Sequence, residues 1–409
     1  NSELTLDMNH GHLNNADGFI NAPGQLLLKN LNSVDNRNGE ISSTKAFALS
    51  AASLDNSAGN LLSDQSLTLT IEQALLNVKG LISAAGVGLD AARLDNSEGK
   101  VSSSRDARLA IREDLLNDQG EIVSTGQTHL DAANLTNTAG QVLGDVRVDV
   151  KVKGALNNQA GTLGAGTSLD VRAASLDNRQ GGKLASDGQL TATVDGLLDN
   201  QAKGQVLAKG AMQLHTGGLD NRGGQLTGQA LLTLHSANVD NRGGVILAQK
   251  DLQLNVGQLD NQQGSLGSKA ALGFAGQLLR NQKGLISAVG PLRLTADTVQ
   301  NAAGRIASQS DLRATIGVLA QQGGELVAQH ELSLSGTSLD NRDGGLVGAT
   351  KALKLTVDAV DNRAGEISSQ SSVDFKGQRL DNSAGKLLAG TALQLAVAQV
   401  INQAQGLVF

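Results

Sequence analysis

Cysteine, tryptophan and tyrosine are absent from the 409 residues, and proline occurs only twice. Without cysteine no disulfide framework can hold the fold, so packing and main-chain hydrogen bonding must supply its stability. No apolar run reaches the length of a membrane-spanning helix, and no signal peptide is visible. Basic residues are in the minority, 33 Lys and Arg against 39 Asp and Glu, and the net charge of −6 argues against nucleic acid as a partner. The 50 glycines, set beside so little proline, fit continuous winding of the chain rather than a disordered linker.

What the chain does contain is one phrase, Leu-Asp-Asn, returning every twenty or so residues. Its Asn series is Asn15, Asn36, Asn56, Asn77, Asn96, Asn117, Asn137, Asn158, Asn178, Asn200, Asn221, Asn241, Asn261, Asn281, Asn301, Asn341, Asn362, Asn382 and Asn402, with Gln321 in the one remaining place. All intervals lie between 19 and 22 residues, which makes residues 1–409 a single repeat domain with no room for a separate globular one. The chain opens at Asn1 rather than Met, and Phe409 falls inside an unfinished repeat. A fragment of a longer protein, with uncovered strand edges at both ends, is the expectation.

Counting Asn as position zero, Gly stands at plus three in eighteen of twenty repeats, the exceptions slipping to Gly204 and Gly406. That spacing predicts a turn whose glycine takes a positive φ. An aliphatic residue at plus five (Ile41, Leu226, Ile246) and a small one at plus seven (Ser43, Ala248, Ser268) repeat with period two, the signature of a strand. A second pair follows at plus eleven and thirteen (Leu232 and Leu234, Leu252 and Leu254), and a third apolar residue lies two before the next Asn (Leu219, Val239). A helix is excluded, because no apolar face persists at its period and glycine interrupts every unit. Three short strands per twenty residues make one coil of a parallel β-helix, so an all-β solenoid of about twenty coils is predicted. Asn has a reason to recur there. Its amide both donates and accepts, so identical amides one coil apart can bond upward and downward, whereas a column of buried Asp would repel itself. Gln321 is expected to bend that ladder locally.

Catalytic and metal chemistry is hard to place. His215 and His235 occupy the same repeat position, where a surface metal pair competes with two outward imidazoles made by repeat duplication. His10 and His12 share a strand face, and His129 and His330 stand isolated. Asp177, Asp199, Asp220, Asp240 and Asp260 form a column that could hold calcium, but Arg179, Arg222 and Arg242 lie two residues along to neutralise it. β-Helix enzymes build their clefts from long insertions, and no repeat here exceeds 22 residues. Phe47, Phe274 and Phe375 fall at inward positions and read as core. No enzyme activity and no cofactor is expected.

Segments such as Leu219-Asp220-Asn221-Arg222-Gly223-Gly224-Gln225-Leu226 and Val239-Asp240-Asn241-Arg242-Gly243-Gly244-Val245-Ile246 resemble the haemagglutinin repeats of filamentous haemagglutinin and of contact-dependent growth inhibition exoproteins. The resemblance covers all twenty repeats. It implies a right-handed β-helix that forms the stalk of a two-partner secretion exoprotein. The implied partner is an outer-membrane β-barrel transporter, and the implied location is the outer surface of a Gram-negative cell. A stalk would hold an adhesive or toxin-delivery tip away from that cell. A target-cell receptor would be met through regions outside this fragment, unless the solenoid surface is itself an adhesin for a glycan or protein receptor.

Overall fold

A computed structural model describes residues 3–409. It contains two compact units, one ending at Gly210 and one running from Ala211 to Phe409. Each is all-β, with no helix among the described residues, and in each the strands of successive coils pair in parallel. Registers such as Leu252 with Leu272, Leu254 with Phe274 and Leu259 with Leu279 put equal repeat positions directly above one another. Both units are therefore β-solenoids, and leucine, isoleucine and valine fill their interiors as columns.

In the second unit a coil consists of a four-residue strand, such as Gln225–Gly228, and a nine-residue strand, such as Leu232–Asp240. The longer strand holds the second and third segments together. Leu232, Leu234 and Ser236 alternate inward, then the parity slips so that Val239 is the next buried residue, and that slip is the corner. In the first unit the same corner can break the strand, as between Ala107–Ile111 and Asp114–Leu116. The inward residue before the corner escaped the sequence pattern. It is Ser236, Val256, Ala296 or Ile316 in different coils, all buried, and so varied in type that no column shows. The hydroxyls there are satisfied: Thr216 Oγ1 donates to Ser236 Oγ at 3.0 Å, and Ser236 Oγ donates to the Asn238 carbonyl. Serine at plus seven has a similar reason, since Ser63 and Ser268 each donate at 2.6 Å to a carbonyl at the corner of the preceding coil. Phe47, Phe274 and Phe375 lie in the core.

The turn corrects the sequence reading. Glycine at plus three does close it, with Gly264 N–H donating to the Asn261 carbonyl at 3.0 Å, but the left-handed residue is the one before. That place is held by Ala58, Ala139, Gln263, Lys283 and Ala303 at φ between 52° and 57°, and by Gly223, Gly243 and Gly323 in three coils. Glycine at plus three is instead required by close approach: a Cβ on Gly264 would lie 2.2 Å from the Asn241 carbonyl oxygen and 2.6 Å from Asn261 Oδ1. Two repeats that match the simple spacing, Gly181 and Gly344, in fact have turns one residue longer. There Gly182 and Gly345 make the close approach, while Gly181 and Gly344 have positive φ. Because alanine in the left-handed region costs roughly 1 to 2 kcal/mol, Ala303→Gly is expected to stabilise the second unit by about 0.5 kcal/mol after the extra unfolded-state entropy of glycine is deducted. A lower urea midpoint for the variant would contradict this.

Candidate functional site

The dominant constructed feature is the Asn turn and the charged edge beside it. Each internal Asn from Asn36 is fully buried. In the first unit every Nδ2 from Asn15 to Asn178 donates to the Oδ1 of the next Asn at 2.7 Å, ending on Asn200. The second unit repeats this from Asn221 through Asn241, Asn261 and Asn281 to Asn301 at 2.7 to 2.8 Å. Nδ2 of Asn261 also reaches the carbonyls of Gly264 and Leu285, both at 3.3 Å, so one amide ties its own turn to the next coil. Gln321 keeps the series going with longer bonds: it accepts from Asn301 at 3.3 Å and donates to Asn341 at 3.2 Å. Its extra methylene displaces the amide from the column axis. Asn341, Asn362, Asn382 and Asn402 then resume at 2.6 to 2.8 Å.

One residue before the Asn, the carboxylate turns outward and caps the same turn. Asp240 Oδ1 accepts the Arg242 backbone N–H at 3.1 Å, and its two oxygens take the guanidinium at 2.9 Å (Nε) and 2.6 Å (Nη2). Arg222 also approaches the Asp240 carboxylate of the following coil at 3.6 Å, and Arg342 approaches Asp361 likewise. Where Arg is missing, another donor serves, as with Gln262 on Asp260 and Ser57 on Asp55. The carboxylates are thus engaged within the turn. The hydrogen bond from Arg342 holds the Asp340 carboxyl below its usual range, Arg363 does the same for Asp361, and Arg37 does so for Asp35. A depressed folded pKa adds stability that is present above the unfolded value, about 4, and is lost as pH falls through the folded one. Thermal melts are therefore expected to be flat from neutral pH down to about 5 and to fall steeply below about 4. Replacing Arg342 and Arg363 by Gln should reduce that acid dependence, and an unchanged profile would show that the pairs do not contribute.

The histidines divide three ways. His215 and His235 lie in register, their rings stacked with centroids 5.1 Å apart and planes 24° from parallel. Among the described residues no group of three or more His, Asp or Glu is placed to hold a metal ion. His129 is not isolated, which corrects the sequence reading: Nε2 lies 2.8 Å from Asp131 and Nδ1 3.3 Å from Asp149, one on its own strand and one on the next coil. Only the stacking register brings that second carboxylate close. His330 stands 4.0 Å from Asp311. His12 Nδ1 bonds Ser33 Oγ at 2.6 Å, and left-handed backbone at Asn9 and His10 makes an irregularity in the strand Leu4–Asn14, where the pairing register shifts between Asp7 and His12.

With this geometry in view, comparison with known proteins gives one match. The sequence model described as haemagglutinin repeat fits residues 4–79, 73–119, 113–151, 123–202, 185–243, 232–288 and 281–408. No curated protein and no solved structure matches the chain.

Proposed function

The chain belongs to the haemagglutinin-repeat family, and on that footing we propose that residues 1–409 are one repeat domain serving as the stalk of a two-partner-secreted exoprotein. In this reading a dedicated outer-membrane β-barrel transporter exports it. The stalk holds an adhesive or toxin-delivering tip, as in contact-dependent growth inhibition, away from the surface of a Gram-negative producer. The observation that carries the proposal is monotony. No repeat exceeds 22 residues, and the same Asn turn recurs in coil after coil without an inserted loop. A spacer needs length and continuity, which repetition supplies, and it needs no particular cleft. The role is structural rather than enzymatic.

The test is an in-register deletion. Removing residues 96–136 takes out two coils and leaves Asn137 to follow Asn77 at the place of Asn96. The exported fibre should shorten by roughly 10 Å at the spacing of adjacent strands, and attachment of the parent protein to target cells should persist. Loss of attachment with secretion and folding intact would show that these coils carry recognition themselves.

A further inference from the structure

His215 and His235 are register partners on one outward column of the second unit, in the adjacent strands Met212–Asp220 and Leu232–Asp240. Each is flanked along its strand by buried residues, Leu214 and Thr216 in one coil and Leu234 and Ser236 in the next. Thr216 Oγ1 also donates to Ser236 Oγ, which ties the two strands together beside the histidines. The two backbones are therefore held at the spacing of neighbouring strands, about 4.8 Å. Among the described residues neither ring makes a hydrogen bond or an ion pair, and the contact each has is with the other ring. His12, His129 and His330, by contrast, each have an oxygen neighbour.

A neutral imidazole offers one nitrogen lone pair to a metal ion. With centroids 5.1 Å apart and planes 24° from parallel, the two rings rest side by side, and their lone pairs do not converge. Turning each ring about its Cβ–Cγ bond, a broad and soft torsion, brings one nitrogen of each to about 2.0–2.1 Å from a common ion. Both side chains are exposed, and the trough of about 590 Å³ beside them has room for the ion and its water ligands. Oxygen donors there are weak ones. The neighbours in register are Gln213, Thr233 and Asn255, and the carboxylate of the trough, Asp251, is engaged by the Ala271 N–H at 3.0 Å.

We propose that His215 and His235 form a two-imidazole site for a divalent transition-metal ion, copper(II) ahead of nickel(II) and zinc(II). Two nitrogen donors select these ions over calcium and magnesium, which require several oxygens. Within the class, affinity for nitrogen ligands peaks at copper, whose tetragonal coordination accepts two adjacent nitrogens. With no third protein donor in place among the described residues, water completes the coordination and the site stays open. Because the stack holds the second imidazole one coil from the first, its bond to the ion is intramolecular, and the pair exceeds a single histidine by roughly a hundredfold in affinity. The bound ion clips two coils together across the ladder. The assignment goes beyond the spacer role and stands or falls separately, because its test uses the purified chain without cells.

Calorimetric titration of the untagged 409-residue chain with the copper(II) complex of iminodiacetate is the experiment, since that complex keeps positions open for a pair of further donors. It should bind at one site per chain, with an electron paramagnetic resonance spectrum showing coupling to two imidazole nitrogens. His215→Asn and His235→Asn should each weaken binding roughly a hundredfold. Their metal-free melting curves should be unchanged, since the same column already carries Asn255 in the next coil. His129→Asn should bind as the parent does. Zinc chloride should compete only in excess, and calcium chloride not at all. Binding by either single variant as tight as the parent's, loss of the site in His129→Asn, a spectrum with a single nitrogen, or displacement by calcium would overturn the assignment.

Discussion

Gly264→Ala is expected to cost on the order of 3 kcal/mol or more, whereas Gly273→Ala, nine residues away in the longer strand of the same coil, should be neutral or slightly stabilising. A single methyl group distinguishes the two only by what surrounds it. At Gly264 it would sit 2.2 Å from the Asn241 carbonyl oxygen, 2.6 Å from Asn261 Oδ1 and 3.0 Å from Asn241 Nδ2, while at Gly273 it meets open space. The clash cannot be relieved by rotating a side chain, because its closest partner is backbone. Gly264 is itself pinned, its N–H bonded to the Asn261 carbonyl and its own carbonyl accepting from Leu285 at 2.9 Å. Moving it away would separate two coils. In a solenoid each coil contacts mainly its neighbours, so the damage should be local. Native-state hydrogen exchange should show faster exchange of amides in the coils at Asn241 and Asn261 than in those at Asn362. Equal urea midpoints for the two alanine variants would refute the close-approach account of this glycine.

The Asn column should respond almost as strongly, and in a way that reports its chemistry. Asn261→Ala removes the acceptor of Asn241 Nδ2 and the donor to Asn281 Oδ1, both at 2.7 Å in a fully buried column, and leaves a small void. Roughly 2 to 3 kcal/mol of destabilisation is expected, since an unpaired buried amide retains its full desolvation penalty. Asn261→Gln should be milder, because Gln321 already holds a ladder position with bonds of 3.3 and 3.2 Å. Asn261→Asp should be worse than alanine at neutral pH. Its carboxylate would face the carbonyls of Gly264 and Leu285 and the Oδ1 of Asn281, all acceptors, so folding would raise its pKa. The penalty then grows as pH rises above the unfolded carboxylate value, about 4, and is smallest below it. Gln262→Ala, which removes only a bond to the outward Asp260, should lie within about 0.5 kcal/mol of the parent. Equal denaturation midpoints for Asn261→Ala and Gln262→Ala would show that the column is dispensable.

Much of this structure was legible in the sequence because a solenoid converts spacing into space. Residues twenty apart become neighbours, so Asn to Asn intervals, inward leucines such as Leu232 and Leu252, and the register of His215 with His235 follow from counting. Arginine two residues after aspartate was readable as charge compensation for a similar reason, being local. What counting missed depends on what lies across the next coil. Glycine at plus three was expected to have positive φ, but that conformation belongs to Ala303 and its equivalents, and glycine's role is set by a carbonyl twenty-odd residues back. The longer turns at Asn178 and Asn341 were hidden by Gly181 and Gly344, which keep the common spacing while Gly182 and Gly345 make the contact. The inward column at Ser236, Val256, Ala296 and Ile316 was invisible because its residue types vary.

The sequence by itself determined the all-β class, the period of the coil and those inward positions at which one residue type recurs, because a pattern of period two inside a period of twenty permits little else. Only the tertiary structure decided which turn residue carries the left-handed backbone and which glycine meets the neighbouring coil. Tertiary structure likewise brought His129 between Asp131 and Asp149. Those features depend on distances between coils, and a distance between coils is a property of the stack rather than of any one repeat.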